Sequence, residues 1–436
     1  MRYAWSIFPH PHRSARRLAP ALLLSMTLVA AMPVAAKPHP HPSADASVIA
    51  TWNEVAVTTV TAAGASPTAF NYFAFVHLAM YNAVVAITGE YELYKWDGVA
   101  PKPASPEAAA AAAAHRVLEN YFGDSAARDL QLAASLANVR NKVARANGEA
   151  FGVLAANHII GLRVNDGRGA TVTEPTQGTQ PGQWRPTPGG AVPFAPFSTA
   201  WLGGVKPLAL DSHDRFDPGE PPAIDSETYF DEFEEVRITG ALNAPVEDRS
   251  DAMEQTARFF SDAGIVPMQR ALQGFALRRG LDIDDSARMF AAVETAIADG
   301  AGTVWNAKLQ YLWWRPVTAI QMADTDGNDD TVGVPTWMPF IGTPPYPDWP
   351  SGLCSVVGAT STVLTRLNGD GSLDLTITSA AAGETRNFAT KAEIADQAVD
   401  ARVWSGIHFR TADEVSIDIG SDVANYVLDH YFQPTD

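Results

Sequence analysis

Three short stretches concentrate residues that can grip an oxyanion. Lys308 and Arg315 stand seven positions apart in Lys308-Leu-Gln-Tyr-Leu-Trp-Trp-Arg315-Pro316; Pro350-Ser351-Gly352-Leu353 follows, and Arg402-Val-Trp-Ser-Gly-Ile-His408 comes last. Lysine supplies a point charge and arginine a planar fork of donors, a pairing that suits a tetrahedral oxyanion. On a helix, a separation of seven returns the chain to nearly the same face, so the two cations point the same way two turns apart. Pro316 disfavours helical geometry at Arg315, which puts the guanidinium near the helix end. Ser351 can cap the helical pattern that runs from Leu353 to Leu367, and the free N–H groups of Gly352 and Leu353 then face an anion. Arg402 and His408 would lie far from one face on a continuous helix; Gly406 offers the break that lets them converge. His408 is then a candidate nucleophile or ligand. Taken singly, the stretches read as well or better as a solvated helix face, an ordinary cap and a structural histidine.

These residues need a helical scaffold, and the chain supplies one. Phe70 to Ile87 is apolar nearly all round, the mark of a buried helix. Glu107 to Phe122 follows Ser105-Pro106, a cap and a first-turn proline. Helical periods continue over Asp129–Leu162, resume at Ser226, and run through Asp251–Ala263, Ser286–Trp314, Cys354–Leu367 and Thr390–Trp404. Strand signals are scarce: Leu373–Thr378, after the turn at Asn368-Gly-Asp-Gly371, suits one arm of a hairpin. The class is all-α. Ten of the 31 prolines lie between Pro175 and Pro222, amid glycines and the aromatics Trp184, Phe194, Phe197 and Trp201. A segment of that length inside a compact domain points to function, here an irregular cover over residues 166–225 that forms a wall or lid for the site.

Residues 1–36 read as a secretory signal: Arg13, Arg16 and Arg17, then an apolar run from Leu18 to Ala31, then small residues at Val34-Ala35-Ala36. The run is shorter than the ~20 apolar residues that a membrane span needs. Residues 37–50 form a Pro/His-rich tether, where His39 and His41 are disordered leader in preference to metal ligands, and 51–436 form a single domain with the oxyanion motifs at 286–413. The formal charge is −18, and removing the signal takes away four arginines and no acids, which gives −22. So acidic a chain repels nucleic acid and anionic membranes, and cations gathered at one point serve a local anion. The single cysteine, Cys354, excludes an internal disulfide and sits in an apolar setting that suits a buried, inert thiol.

Jointly the motifs resemble the vanadium-dependent haloperoxidase and type 2 phosphatidic-acid phosphatase superfamily, whose signature is K-x6-RP, PSGH and SR-x5-H. Phe75-Val-His-Leu-Ala-Met-Tyr-Asn-Ala-Val84, Pro181-Gly-Gln-Trp-Arg-Pro-Thr-Pro188 and Ala323-Asp-Thr-Asp-Gly-Asn328 look like the soluble bacterial haloperoxidase branch, so the likeness extends over roughly Trp52 to Tyr431. The resemblance implies a largely helical double bundle, of four-helix-bundle type, that holds vanadate or a phosphate ester. It implies that Lys308, Arg315, Ser351, the Gly352 N–H and Arg402 bind the oxygens, and that His408 coordinates vanadium or attacks phosphorus. The catalytic set is then His408, Arg402 and Lys308, with Trp305 and Tyr346 in a halide pocket. Peroxide, halide and an organic acceptor, or a phosphate ester, are the implied small-molecule partners.

Three departures stand out. Leu353 occupies the place of the acid–base histidine of PSGH, Ala401 replaces a serine, and Ala412 stands where an acid would orient His408, with Asp413 one place late. Losing a positioned acid–base group costs about 10²–10⁴ in rate. Three readings stay open: a haloperoxidase-like enzyme in which another group or water carries protons, an acid phosphatase acting on activated esters, and an oxyanion-binding protein without catalysis. His77, His115 and His158 are the candidate substitutes. A calcium site at Asp324–Asp330 is a minor expectation, since an EF-hand wants glycine and glutamate where the chain has Asp329 and Pro335.

Overall fold

The computed structural model describes residues 44–435, apart from 65–66, 174–177, 189–191 and 263. The signal, His39, His41 and Pro175 lie outside the described residues. The first half of the domain holds α1 (Ser47–Ala62), α2 (Ala69–Thr88), α3 (Pro106–Phe122), α4 (Ala126–Ala137) and α5 (Lys142–Leu162). After the irregular cover come α6 (Glu227–Thr239), α7 (Asp251–Asp262), α8 (Ile265–Arg279), α9 (Ile283–Tyr311), α10 (Pro316–Met322), α11 (Gly352–Asn368), α12 (Lys391–Trp404) and α13 (Arg410–His430). The class is all-α, with one antiparallel hairpin of β1 (Leu375–Ser379) and β2 (Glu384–Phe388), in which Ile377 faces Arg386.

The long helix α9 is the shared wall of two helical groups. It packs on α2, with α3 and α5 behind, and also on α11 and α13. Its residues are buried almost without interruption from Ile283 to Lys308, as a helix enclosed on all sides requires. Small residues let the neighbours approach. A Cβ at Gly358 of α11 would fall 2.2 Å from the Ile417 carbonyl oxygen on α13, and one at Gly420 would fall 2.1 Å from that of Ser355. This close crossing fixes the N-terminus of α11, where Ser351 and Gly352 stand.

Several expected boundaries move. The segment Asp129–Leu162 is two helices, because Asn141 caps a new one by accepting from the amides of Val143 and Ala144. Residues 47–50, expected in the tether, already belong to α1. Helix α9 starts three residues early, with the Asp282 carboxylate accepting from the Asp285 amide, and it ends at Tyr311 instead of Trp314. Leu312 takes φ +45°, and the cover then pairs with the chain: the Trp184 amide donates to Leu312 and the Trp314 amide to Gly182. Within the cover Trp184 and Phe197 are buried, but Phe194 is exposed.

Helices α1, α2, α8 and α9 enclose polar groups. His77 lies 2.9 Å from Asn53 through Nε2 and stacks on Phe290, and Gln269 donates to Glu294 at 2.6 Å. Burial lowers the His77 pKa to about 3 and raises that of Glu294 to about 8. His115 pairs with Asp129 and His158 stacks on Trp96. All three candidate substitutes for the missing histidine are therefore structural residues.

Three outcomes are expected. Gly358→Ala should cost about 1–3 kcal/mol by overpacking and lower the unfolding midpoint. Gly161→Ala, with no atom within 4 Å of its new methyl, should leave the midpoint unchanged or raise it. Glu294 carries a raised folded pKa, so the native state holds a proton that the unfolded state has released, and stability falls as pH rises from about 4.5 to 8. Denaturant titrations across that range should show Glu294→Gln losing less stability than the parent; parallel curves would refute the burial penalty.

Candidate oxyanion site

Lys308 and Arg315 do converge, though not by sharing a helix face. Lys308 is on the last turn of α9, whereas Arg315 lies beyond its end, extended at φ −86°, ψ 154° as the residue before Pro316, and caps α10. Both side chains are wholly buried. The Lys308 ammonium faces the carbonyl oxygens of Pro347, Asp348 and Pro350 at 2.6, 3.0 and 2.5 Å. Those three acceptors match its three hydrogens, so Lys308 ties down the loop before α11 and lends its charge without a spare donor. Arg315 donates through Nε to Tyr346 and through Nη1 to Ile407. Its Nη2 is buried without a partner.

Ser351 occupies the N-cap position of α11 but makes no capping bond; its own amide donates to Ala412. Among the described residues no group accepts from the Gly352 or Leu353 amides. Gly406, at φ +78°, breaks the chain after α12, so His408 sits in the turn before α13 and faces Arg315. Arg402, near the end of α12, has a buried Nε without a partner.

Asp348 is the residue that sequence reasoning missed. Its Oδ1 lies 2.8 Å from His408 Nδ1 and 3.4 Å from Arg315 Nη1, while Arg315 Nη1 lies 3.1 Å from His408 Nε2. These partners assign the proton to Nδ1 and leave the Nε2 lone pair toward the guanidinium. The orienting acid thus comes from Pro347-Asp348-Trp349-Pro350, not from the start of α13. A lone acid in a proline- and aromatic-rich stretch beside the motif was the available signal. Asp413 lies buried beside the same cations without touching His408: it accepts from the Cys354 thiol at 3.4 Å and faces Ser351 and Arg402.

The electrostatics follow from burial and mutual repulsion. Desolvation lowers the Lys308 pKa, reinforced by Arg315, and desolvation also lowers that of Arg315. His408 is held well below its usual value by desolvation, then by Arg315, Arg402 and Lys308, so its ring stays neutral. Burial raises Asp348 to about 7 against the pull of Arg315 and Lys308. Burial likewise pushes the Cys354 thiol up, which keeps it inert.

The site opens on a chamber of about 870 Å³ that reaches Gly352, Leu353, Arg402, Trp305 and Tyr346. The Trp305 and Tyr346 rings are 5.1 Å apart, and the Lys308 ammonium and Arg315 guanidinium lie 5.1 and 5.0 Å from the Tyr346 ring. The structure therefore gathers the residues of the three motifs and both aromatics at one place. The cover contributes indirectly, since Ser198 bonds to Pro345 and receives the Trp305 indole N–H, but the chamber lining comes from other segments. The Asp324–Asp330 segment is a turn: Asp324 accepts from Gly333 and Asp326 from Asn328 and Thr331. Among the described residues no group of three acidic, His or Cys side chains could hold a metal ion.

An anion fits this donor set. Two buried guanidinium nitrogens lack partners, two first-turn amides are free, and the nearby histidine is neutral. The family model described as the VCPO second helical-bundle domain matches residues 288–436, which contain all three motifs. A search among curated proteins finds no match. The fold is similar to the crystal structure of the first bacterial vanadium-dependent iodoperoxidase, with a TM-score of 0.74 and 26% identity over 90% of this chain and 98% of that one. It is also similar to apo-type and holo-type bacterial vanadium-dependent chloroperoxidase, each with a TM-score of 0.65 and 19% identity over 83% of this chain, and over 94% and 91% of the respective structures. Residues 288–436 thus match the VCPO second helical-bundle domain, and the chain as a whole shares the fold of the bacterial vanadium-dependent haloperoxidases.

Proposed function

We propose that the chain binds vanadate and acts as a haloperoxidase-like enzyme, with hydrogen peroxide as oxidant. One observation carries this: the partnerless guanidinium nitrogens of Arg315 and Arg402 are buried around a neutral histidine whose Nδ1 is held by Asp348. Burying an unmet charged donor is costly, and an oxyanion would satisfy both. Arg315, Arg402, Ser351 and the Gly352 amide would hold the oxygens, Lys308 would add charge, and His408 would present its Nε2 lone pair as the ligand once Arg315 Nη1, which faces it at 3.1 Å, turns to the oxyanion. Vanadate, when bound, supplies activation of peroxide toward a halide. Overall the halide loses two electrons, the peroxide O–O bond breaks, and with one proton from solvent the products are hypohalous acid and water. Trp305 and Tyr346 would flank the halide beneath the Lys308 and Arg315 charges.

Leu353 neither gives nor takes a proton, and no histidine is among the residues lining the chamber. Its carboxylate, Asp262, is bonded to Ser379, Ala380 and Ala381. That lining weighs against cleavage of ordinary phosphate esters, which needs an acid for the leaving alcohol. It equally favours one second reading, an oxyanion-binding protein without turnover. Export through the segment at residues 1–36 belongs to the same proposal.

Calorimetry with orthovanadate should show binding by the full chain. Arg402→Met should weaken it about 10- to 150-fold, the equivalent of one charged hydrogen bond of about 1.5–3 kcal/mol. Absence of binding by the parent chain would sink the proposal. With vanadate, peroxide and bromide, bromination of a dye separates enzyme from binding protein. Leu353→His should raise that turnover by up to about 10²–10⁴-fold if proton transfer limits it. A variant that binds vanadate normally but gains nothing would show that the site has been rebuilt around the leucine.

A further inference from the structure

A halide and a peroxide are far smaller than the space above the site. A water molecule takes about 30 Å³ of liquid, whereas the chamber measures about 870 Å³, within the range of pockets that enclose whole organic ligands. Its apolar walls come from four helices, Phe70 of α2, Phe260 of α7, Ile265 and Val266 of α8, and Val356 one turn beyond Leu353 on α11, while Thr61 of α1 and Thr376 and Thr378 of β1 add uncharged hydroxyls. Leu353 and Val356 are three apart and so share a helix face toward the space. The ionisable groups away from the floor are already satisfied: Asp262 by Ser379, Ala380 and Ala381, and Arg270 by Glu54 at 2.9 Å. Arg402 remains, at the floor, and its charge belongs to the oxyanion.

We infer that this chamber binds an uncharged, apolar organic molecule beside the oxyanion, and that Leu353 serves as part of its wall. The residue that breaks the motif thus has a positive role, extending an apolar surface down to the anion where a histidine would place a polar ring. The chemistry of the bound molecule rests on the haloperoxidase-like proposal; the binding itself does not. Hypohalous acid formed at the floor would meet a held acceptor: carbon takes the halogen, hydroxide leaves the halogen, and the lost ring proton joins it as water. The occupant is then the organic acceptor, positioned before halogenation instead of encountered in bulk solvent.

The test uses the full chain and N-phenyl-1-naphthylamine, a neutral probe whose emission rises in apolar sites, titrated with and without saturating orthovanadate. Saturable one-to-one binding that persists with vanadate present is the expected result. Val266 is only half-buried, so Val266→Asp should fold, keep vanadate affinity and lose about tenfold or more of probe affinity. Val266→Leu, which keeps the wall apolar, should retain the probe. No saturable binding, competition by vanadate, or equal probe affinity in the two variants would overturn the inference. A chain that binds the probe but no vanadate would leave the chamber standing and remove the oxyanion proposal alone.

Discussion

The carboxylate of Asp348 is the interaction on which the rest of the site depends. Lys308, Arg315 and Arg402 converge in a space where burial leaves little water to separate their charges. Asp348 sets an acid among them, touching Arg315 and His408 with its side chain and Lys308 with its carbonyl oxygen, while the buried Asp413 faces Arg402. A buried cation cluster without such an acid would repel itself apart. With it, the cluster stays together and keeps some donors unspent, which makes the place receptive to an anion.

That balance explains the division of labour among the cations. Lys308 has used its hydrogens on the loop that carries Asp348 and Ser351, and acts as a structural charge. Arg315 is half committed, holding Tyr346 and Ile407 with one part of its fork while Nη2 remains free. Arg402 borders the open chamber. The gradient from committed to free runs from the core toward the cavity, and Leu353 stands at its outer end, where the polar floor gives way to an apolar wall.

The scaffold was largely legible in the sequence because buried helices carry an unambiguous apolar pattern. Phe70 to Ile87 and Cys354 to Leu367 became α2 and α11 with shifts of one or two residues at their ends. The boundaries that moved were set elsewhere. The periodicity continues to Trp314, but α9 stops at Tyr311, where residues 182–184 of the cover pair with the chain around Leu312 to Trp314 and Leu312 turns left-handed. No local property of residues 312–314 specifies a strand-like partner more than 100 positions away. The segments α8 and α13 were not resolved as separate helices in the sequence, yet α8 helps to wall the chamber and α13 supports Ser351 through Ala412.

By itself, the sequence determined the all-α class, the spacing of three cations with a glycine-led helix start and a histidine, and the loss of an acid–base group at Leu353. Those properties follow from residue type and local period. Only the tertiary structure decided that Arg315 reaches the site from a loop, that Lys308 spends its donors on carbonyls, and that Asp348 orients His408 in place of an acid near Ala412. It alone showed the apolar chamber into which Leu353 fits. These are matters of which groups meet after burial, when desolvation and the count of donors against acceptors fix each side chain's role, and neither quantity exists until the distant segments are packed together.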